Sequence, residues 1–512
     1  MTAGLKPTIP LEPGQQYRFH FDMGKCIGCK CCEVACHEQN NNPAMVKWRT
    51  VGEIEGGEFP QTVRLYVSMA CNHCLEPSCL LGCPVDAYYK DATTGAVRMR
   101  DDACIGCGYC TWNCPYEAPQ FNPERNIVTK CDFCHNRLIE GDLPACVAAC
   151  PSGAIEIEPV QIEEWKRNHS EGNAPAVPES SITVSTTRFT VPEDLKADLN
   201  RTDEYRLKPG KPHYSLVLMT VLTQLSVGGF LSLFLSEILS HFAHLSPLLQ
   251  KFLKVGPLAM IGTSVLALAT SVFHLGRPLF AWRAVKMWKR SWLSREVLFF
   301  SLFAGLAAVY SFIRWKGWPI PQEVMGGLGG LVAATGIAGI YSSARIYMVP
   351  ARPSWNNPRT PIAFFSTAFL LGPLSTLLLF ASQSQSVATT IMENGGGIIS
   401  KSLVAIILVA GLCQLGSILV KLFYILSREE HEMRGTAKLL TQWFRYPFLS
   451  RIGSLLITLI GVPLTLLGLL LPTAEGASTW IGALLALALG SELLGRYLFF
   501  VTVVPKNRPE GY

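Results

Sequence analysis

Sixteen of the 18 cysteines in this 512-residue chain fall into four groups of four, all within the first third of the sequence. They read Cys26-x2-Cys29-x2-Cys32-x3-Cys36, Cys71-x2-Cys74-x4-Cys79-x3-Cys83-Pro84, Cys104-x2-Cys107-x2-Cys110-x3-Cys114-Pro115 and Cys131-x2-Cys134-x11-Cys146-x3-Cys150-Pro151. A tight C-x2-C-x2-C turn lets three thiolates converge on one iron–sulfur cubane, while the fourth cysteine reaches a different cluster. The groups are therefore expected to work in pairs, each pair holding two [4Fe–4S] clusters. Zinc sites use two pairs of ligands and gain nothing from the recurring x3-Cys-Pro tail. Disulfides are disfavoured by spacing this tight and by the reducing compartment inferred below. Cys31, an extra residue inside the first turn, reads as a bystander. Cys413 sits alone in an apolar helix and reads as a small packing residue.

The elements that must position these thiols divide the chain. Its 49% apolar and 16% charged residues average two unlike halves, so at least two domains are expected. Residues 1–160 read as a loop-rich soluble domain with short strands such as Val63–Val67. Residues 161–212 are polar and carry Pro175, Pro178, Pro192, Pro209 and Pro212, which suggests a linker partly draped over the soluble domain. From residue 213 to 512 long apolar runs give eight candidate spans: 214–240, 256–275, 297–314, 326–344, 361–382, 402–426, 452–471 and 479–503. A helix needs about 20 mainly apolar residues to cross a bilayer. The expected fold is an α+β four-cluster ferredoxin-like domain followed by an all-α polytopic bundle of eight transmembrane helices.

An even number of spans returns both ends of the membrane half to the side of the cysteine-rich domain. Loops on that side carry fourteen basic residues and loops on the far side four. The positive-inside bias then puts the cysteine-rich domain in the cytoplasm, at the inner membrane. It also accounts for the net charge of +6 without nucleic-acid binding. Residues 1–30 hold neither an apolar core with a cleavage site nor a twin-arginine pair, so no removable signal peptide is expected.

The stretches Cys104-Ile-Gly-Cys-Gly-Tyr-Cys-Thr-Trp-Asn-Cys-Pro and Cys71-Asn-His-Cys-Leu-Glu-Pro-Ser-Cys resemble the iron–sulfur subunit of dimethyl sulfoxide reductase and its relatives, over roughly residues 15–160. The resemblance implies that the first group pairs with the fourth and the second with the third. One cluster would then rest on Cys26, Cys29, Cys32 and Cys150, and the next on Cys131, Cys134, Cys146 and Cys36. A third would take Cys71, Cys74, Cys79 and Cys114, and the fourth Cys104, Cys107, Cys110 and Cys83. Some relatives have tryptophan at the position of Cys107 and a three-iron cluster there; this chain keeps cysteine. His37 follows Cys36 in place of the proline of the other groups.

In the membrane half, His274-Leu-Gly-Arg277-Pro, Ser291-Trp-Leu-Ser-Arg-Glu296, Pro353-Ser-Trp-Asn-Asn-Pro and Glu492-Leu-Leu-Gly-Arg496-Tyr resemble the membrane anchor of the same reductases. The family usually keeps the two subunits as separate chains, so a fusion departs from its architecture. Read physically, His274 ends the second span and Glu296 opens the third, on the cysteine-rich side. An imidazole and a carboxylate there can bind a quinone's oxygens and take up protons. They can equally cap their helices against the macrodipole. The resemblance favours the quinone role, with His274, Arg277 and Glu296 as binding residues and His274 and Glu296 as proton acceptors. Glu492 and Arg496, at i and i+4, read as an ion pair. The basic loop with Arg277, Arg283, Lys286, Lys289 and Arg290 suggests orientation and lipid contact first, docking second.

Together these imply an electron conduit between the menaquinone or ubiquinone pool and a separate molybdopterin-containing catalytic subunit, since nothing here resembles a pterin-binding domain. Electrons could run the other way, as in related sulfite dehydrogenases. An ion-translocating redox subunit is the reading from a different class; it calls for broken helices around charged midplane sites.

Overall fold

The computed structural model describes residues 10–192, 199–205, 207–242, 247–382, 396–466 and 474–510. Residues 1–9, Tyr512, the end of the expected span 452–471 and parts of loops 241–255, 383–401 and 472–478 lie outside the described residues.

The soluble domain grows from β1 (Gln15–Asp22), whose Tyr17, Phe19 and Phe21 alternate into the core as a period of two requires. In order there follow α1 (Cys31–Asn40), β2 (Thr50–Gly56), β3 (Val63–Met69), α2 (Ser78–Gly82), β4 (Tyr88–Lys90), β5 (Val97–Met99), α3 (Tyr109–Asn113), β6 (Gln120–Asn122), β7 (Ile127–Thr129), α4 (His135–Ile139), α5 (Ala145–Ala148), β8 (Ile155–Gln161), α6 (Ile162–Arg167), β9 (Arg188–Thr190) and β10 (Leu199–Arg201). Two three-stranded sheets run β8-β1-β9 and β10-β2-β3, and β4-β5 and β6-β7 are hairpins. β1 and β8 pair antiparallel from Gln15↔Gln161 to Phe21↔Ile155.

The stretch expected as a polar linker partly draped over this domain goes further and joins its sheets. β9 joins β1 in parallel, β10 pairs with β2, and Trp165 is buried with its indole N–H on the Ser185 carbonyl at 2.8 Å. Its prolines mark turns between short pieces of structure, and its backbone groups find partners in sheets already formed.

The membrane half comprises α7 (Tyr214–Phe242), α8 (Pro247–Val272), α9 (Trp292–Lys316), α10 (Gln322–Tyr347), α11 (Arg359–Ala381), α12 (Gly396–Leu426), the short α13 (His431–Lys438), α14 (Arg445–Leu466) and α15 (Ala474–Val501). All but α13 are long and apolar enough to cross a membrane, giving eight spans among the described residues. α7 and α11 cross so closely that a Cβ on Gly372 would fall on the Gly228 backbone, which small residues alone permit. Outward Val409, Leu412, Phe423, Ile457 and Ile460 are exposed, as lipid-facing residues are. Trp282, Trp288, Trp443 and Tyr446 are exposed near the soluble domain and Trp315 and Trp318 at the other end, the pattern of two aromatic belts.

The domains meet through the α8–α9 connection. Arg277 N–H donates to the Ile105 carbonyl (3.0 Å), Met287 N–H to Pro84 (3.1 Å) and the Ser291 hydroxyl to Gly82 (2.6 Å). Gly276 sits where a Cβ would strike the Asn126 backbone, so only glycine allows this approach. After α15 the chain returns along the soluble domain. Arg508, 3% exposed, donates to the carbonyls of Lys47 (2.9 Å), Trp48 (3.3 Å) and Met69 (3.3 Å).

Candidate functional site

Each cysteine group is a turn followed by a short helix. Gly28, Gly106 and Gly108 take positive φ in the C-x2-C-x2-C turns, curling the backbone around the thiols. α1 and α3 then carry the third cysteine, and Cys83 and Cys114 follow the last residues of α2 and α3.

Cys26, Cys29, Cys32 and Cys150 line one small cavity, and Cys71, Cys74, Cys79 and Cys114 another. The remaining eight form two electrostatic neighbourhoods. Burial pushes the Cys36 thiol up to about 12, with Cys146 and Cys134 pushing the same way. Burial raises Cys131 too, with Cys36 the next cause. Burial likewise takes Cys107 up to about 12, with Cys83 and Cys104 adding to it, and Cys110 feels all three. Two of the expected sets of four thiols thus share a cavity, and the other eight cysteines are electrostatic neighbours within the paired groups, with Cys131 also beside Cys71. A tetrahedral zinc needs its sulfurs about 2.3 Å from one point. Among the described residues no three His, Cys, Asp or Glu side chains converge to hold a single ion.

Two buried cations stand between the sets. Burial would lower Arg49, but Cys146, Cys32, Cys131 and Cys36 around it raise it. Lys130 is raised in the same manner, against burial, by Cys71, Cys79 and Cys131. Thr183, in the stretch read as linker, donates to Cys74 Sγ at 3.1 Å. Backbone N–H groups of Ala87, Gly106 and Ala154 reach Cys83, Cys104 and Cys150 at 3.3–3.4 Å. Of the two cysteines outside the groups, Cys31 is exposed. Cys413 is exposed on α12, so it faces outward and does not pack in the core.

A cavity of about 250 Å³ lies where the domains meet. Its wall includes His274 and Glu296 from the membrane half, and Cys107, Tyr109 and Trp112 from the soluble domain. Glu296 is 4% exposed, and its charge is felt by the Tyr109 phenol, which burial already holds high. His274 Nδ1 is buried with no hydrogen-bond partner among the described residues. Burial lowers His274 to about 4, although the Ser271 backbone acts the other way, so its ring is neutral at pH 7. His274 also lines a wider groove of about 640 Å³, bordered by His213, Glu117 and the exposed Lys208 and Lys211.

Arg277 does not reach this cavity. Its guanidinium turns to the soluble domain and donates to the Asp101 carbonyl at 2.8 Å. Arg283 donates to the Asp102 carbonyl (3.0 Å) and Arg290 pairs with Asp86 (2.9 Å). The basic loop therefore docks the two domains, with its cations on carbonyls and carboxylates presented by the cysteine turns. Tyr109 and Trp112 escaped the sequence reading because they sit inside a cysteine group. Aromatic residues beside Cys110 were the available signal: Trp112 packs on His213, Tyr347 and Trp355 at 5.3–5.7 Å between centroids.

Glu492 and Arg496 make no direct ion pair, although the charge of Glu492 acts on Arg496. Glu492 accepts from Thr367 (2.6 Å) and Gln414 (2.9 Å), while Arg496 donates to Gln224 (2.9 Å) and lies over the Phe364 ring at 3.6 Å. Side chains from neighbouring helices outcompete a bond along one helix face.

A cysteine-rich electron-transfer domain seated on a multi-pass membrane anchor is the class that this fold and site define. Residues 62–159 match the 4Fe-4S dicluster domain, and residues 207–501, more than half of the sequence, match the DMSO reductase anchor subunit. This protein belongs to the dimethyl sulfoxide reductase family, as an iron–sulfur electron-transfer subunit and membrane anchor in one polypeptide. It is 38% identical over 173 residues to a component of the anaerobic dimethyl sulfoxide reductase of Haemophilus influenzae, covering 32% of this sequence and 84% of that one. It is 41% identical over 162 residues to YnfG of Escherichia coli, a probable component of an anaerobic dimethyl sulfoxide reductase, covering 30% and 78%. Likeness to the formate dehydrogenase iron–sulfur subunit of Haemophilus influenzae is 36% over 175 residues, covering 30% and 56%.

Proposed function

We propose that this protein holds four [4Fe–4S] clusters and passes electrons between membrane quinol and a separate molybdopterin-containing catalytic subunit. The observation that carries the reading is the cavity in which Cys107 shares a wall with His274 and Glu296. When bound, a [4Fe–4S] cluster takes up and returns single electrons. The four thiol sets fit that cofactor: each supplies four sulfurs, and Arg49 and Lys130 offset the charge that buried thiolates would otherwise leave unpaired.

Oxidation of one quinol gives up two electrons, which the clusters would take singly, and two protons, one placed to pass to the neutral His274 ring and the other to the Glu296 carboxylate. Tyr109 and Trp112 line the cavity beside Cys107. Protons leave through the groove that His274 shares with His213, on the side where the electrons emerge, so the anchor by itself builds no membrane potential. The partnership with a catalytic subunit rests on the relatives, which by name are components of dimethyl sulfoxide reductase and formate dehydrogenase.

Anaerobically purified protein is expected to contain about sixteen iron atoms and sixteen acid-labile sulfides, four of each per cubane. Stoichiometric zinc with little iron would end the cluster assignment. The basic-residue bias further predicts a cytoplasmic soluble domain. A reporter that works only outside the cytoplasm, fused after Tyr512, should then stay silent. Activity from it would invert the orientation.

A further inference from the structure

A second cavity, of about 70 Å³, lies within the membrane half between α11, α12, α14 and α15, apart from the quinone-facing one. Four cations line it: Arg359, Lys421, Arg451 and Arg496. They stand within about two turns of the helix ends on the soluble domain's side, since α11 begins at Arg359 and α15 ends at Val501. The one carboxylate in the wall, Glu492, accepts hydrogen bonds from Thr367 and Gln414, and its single charge is shared between Arg451 and Arg496. Arg496 is 5% exposed, and Arg451 Nε is buried with no hydrogen-bond partner among the described residues.

Buried charges in membrane segments are retained only when paired or functional. Four cations against one carboxylate leave an excess that water alone would compensate poorly. The space is well below the ~300 Å³ at the small end of pockets for organic ligands, but admits one compact tetrahedral oxyanion. Guanidinium groups are the side chains suited to such an anion, because their forked donors match its oxygens. Basic pockets between helices at this depth are where acidic headgroups sit.

We propose that this cavity binds a phosphate group, carried by an anionic phospholipid headgroup or present as free phosphate. Arg451 and Lys421 are its principal contacts. Arg496 is held by Gln224 and Phe364, and Arg359 lies over the Tyr424 ring at 4.4 Å.

The test uses the full-length protein, purified and delipidated, then placed in nanodiscs of phosphatidylcholine alone or with phosphatidylglycerol, or given inorganic phosphate in detergent. A phosphate-binding cavity should raise the thermal midpoint with phosphatidylglycerol or with phosphate, and native mass spectrometry should find one tightly retained phospholipid in the first case only. Lys421→Gln with Arg451→Gln should weaken the effective ligand at least tenfold, while the charge-keeping Lys421→Arg with Arg451→Lys should preserve most of it. Stabilisation by phosphatidylglycerol alone assigns a lipid headgroup, and stabilisation by phosphate alone assigns the free anion. No response in either arm, or an equal response in the doubly neutralised variant with its clusters intact, overturns the proposal.

Discussion

His274→Ala and Glu296→Gln should each slow quinol-driven reduction of the clusters by about 10²–10⁴-fold, the usual cost of losing a positioned proton acceptor. Both line the same cavity wall as Cys107, so the loss falls on electron entry. Reduction by dithionite, and activity with a dye that feeds the catalytic partner directly, should survive. Near-normal quinol turnover in fully assembled variants would make the two residues helix caps. The pH response gives a second check. Burial holds His274 at about 4, so the ring stays neutral as pH falls from 8 to 5, and binding through it should persist over that range. The sign for stability is the reverse. The unfolded ring takes up a proton near 6.5 and the buried ring only near 4, so this residue costs the native state stability as pH falls below about 6.5.

Arg508→Ala should loosen the soluble domain by about 3 kcal/mol, because three carbonyls lose a buried charged donor at once. Thermal unfolding followed by cluster absorbance would register the change. Limited proteolysis should then cut between the domains more readily. Arg508→Lys reaches fewer carbonyls and should recover only part of the loss. A variant within about 0.5 kcal/mol of the parent would mean that the tail merely lies along the surface.

The cysteine groups were legible because ligand spacing is written in a few consecutive residues, and the local turns follow from it. The eight spans were legible for the similar reason that a bilayer demands about twenty apolar residues in a row. His274 and Glu296 could be placed at one membrane face from span boundaries alone. What periodicity could not supply was direction. Arg277 stands three residues from His274 but turns to the opposite partner, because the Asp101 carbonyl offers a bond there. Glu492 and Arg496 have ideal spacing for a pair, yet Thr367, Gln414 and Gln224 reach them first from other helices. The stretch 161–212 looked like a linker because strands of three residues leave no alternation to detect. Its Thr183 meets Cys74 across 109 residues of sequence, a contact only the folded chain reveals.

The soluble domain is held at three points: by the segment entering α7, by the α8–α9 connection and by the returning tail with Arg508. Where such a domain and its anchor are separate molecules, electron transfer between them depends on assembly and on the concentration of each. Here the thiol sets and the cavity beside them stay together in one polypeptide, so only a diffusing electron carrier has to arrive. Dilution or unequal synthesis of partners should therefore leave the joint between the cysteine-rich domain and its anchor intact. Of the protein contacts, only that with the catalytic partner should retain a dependence on concentration.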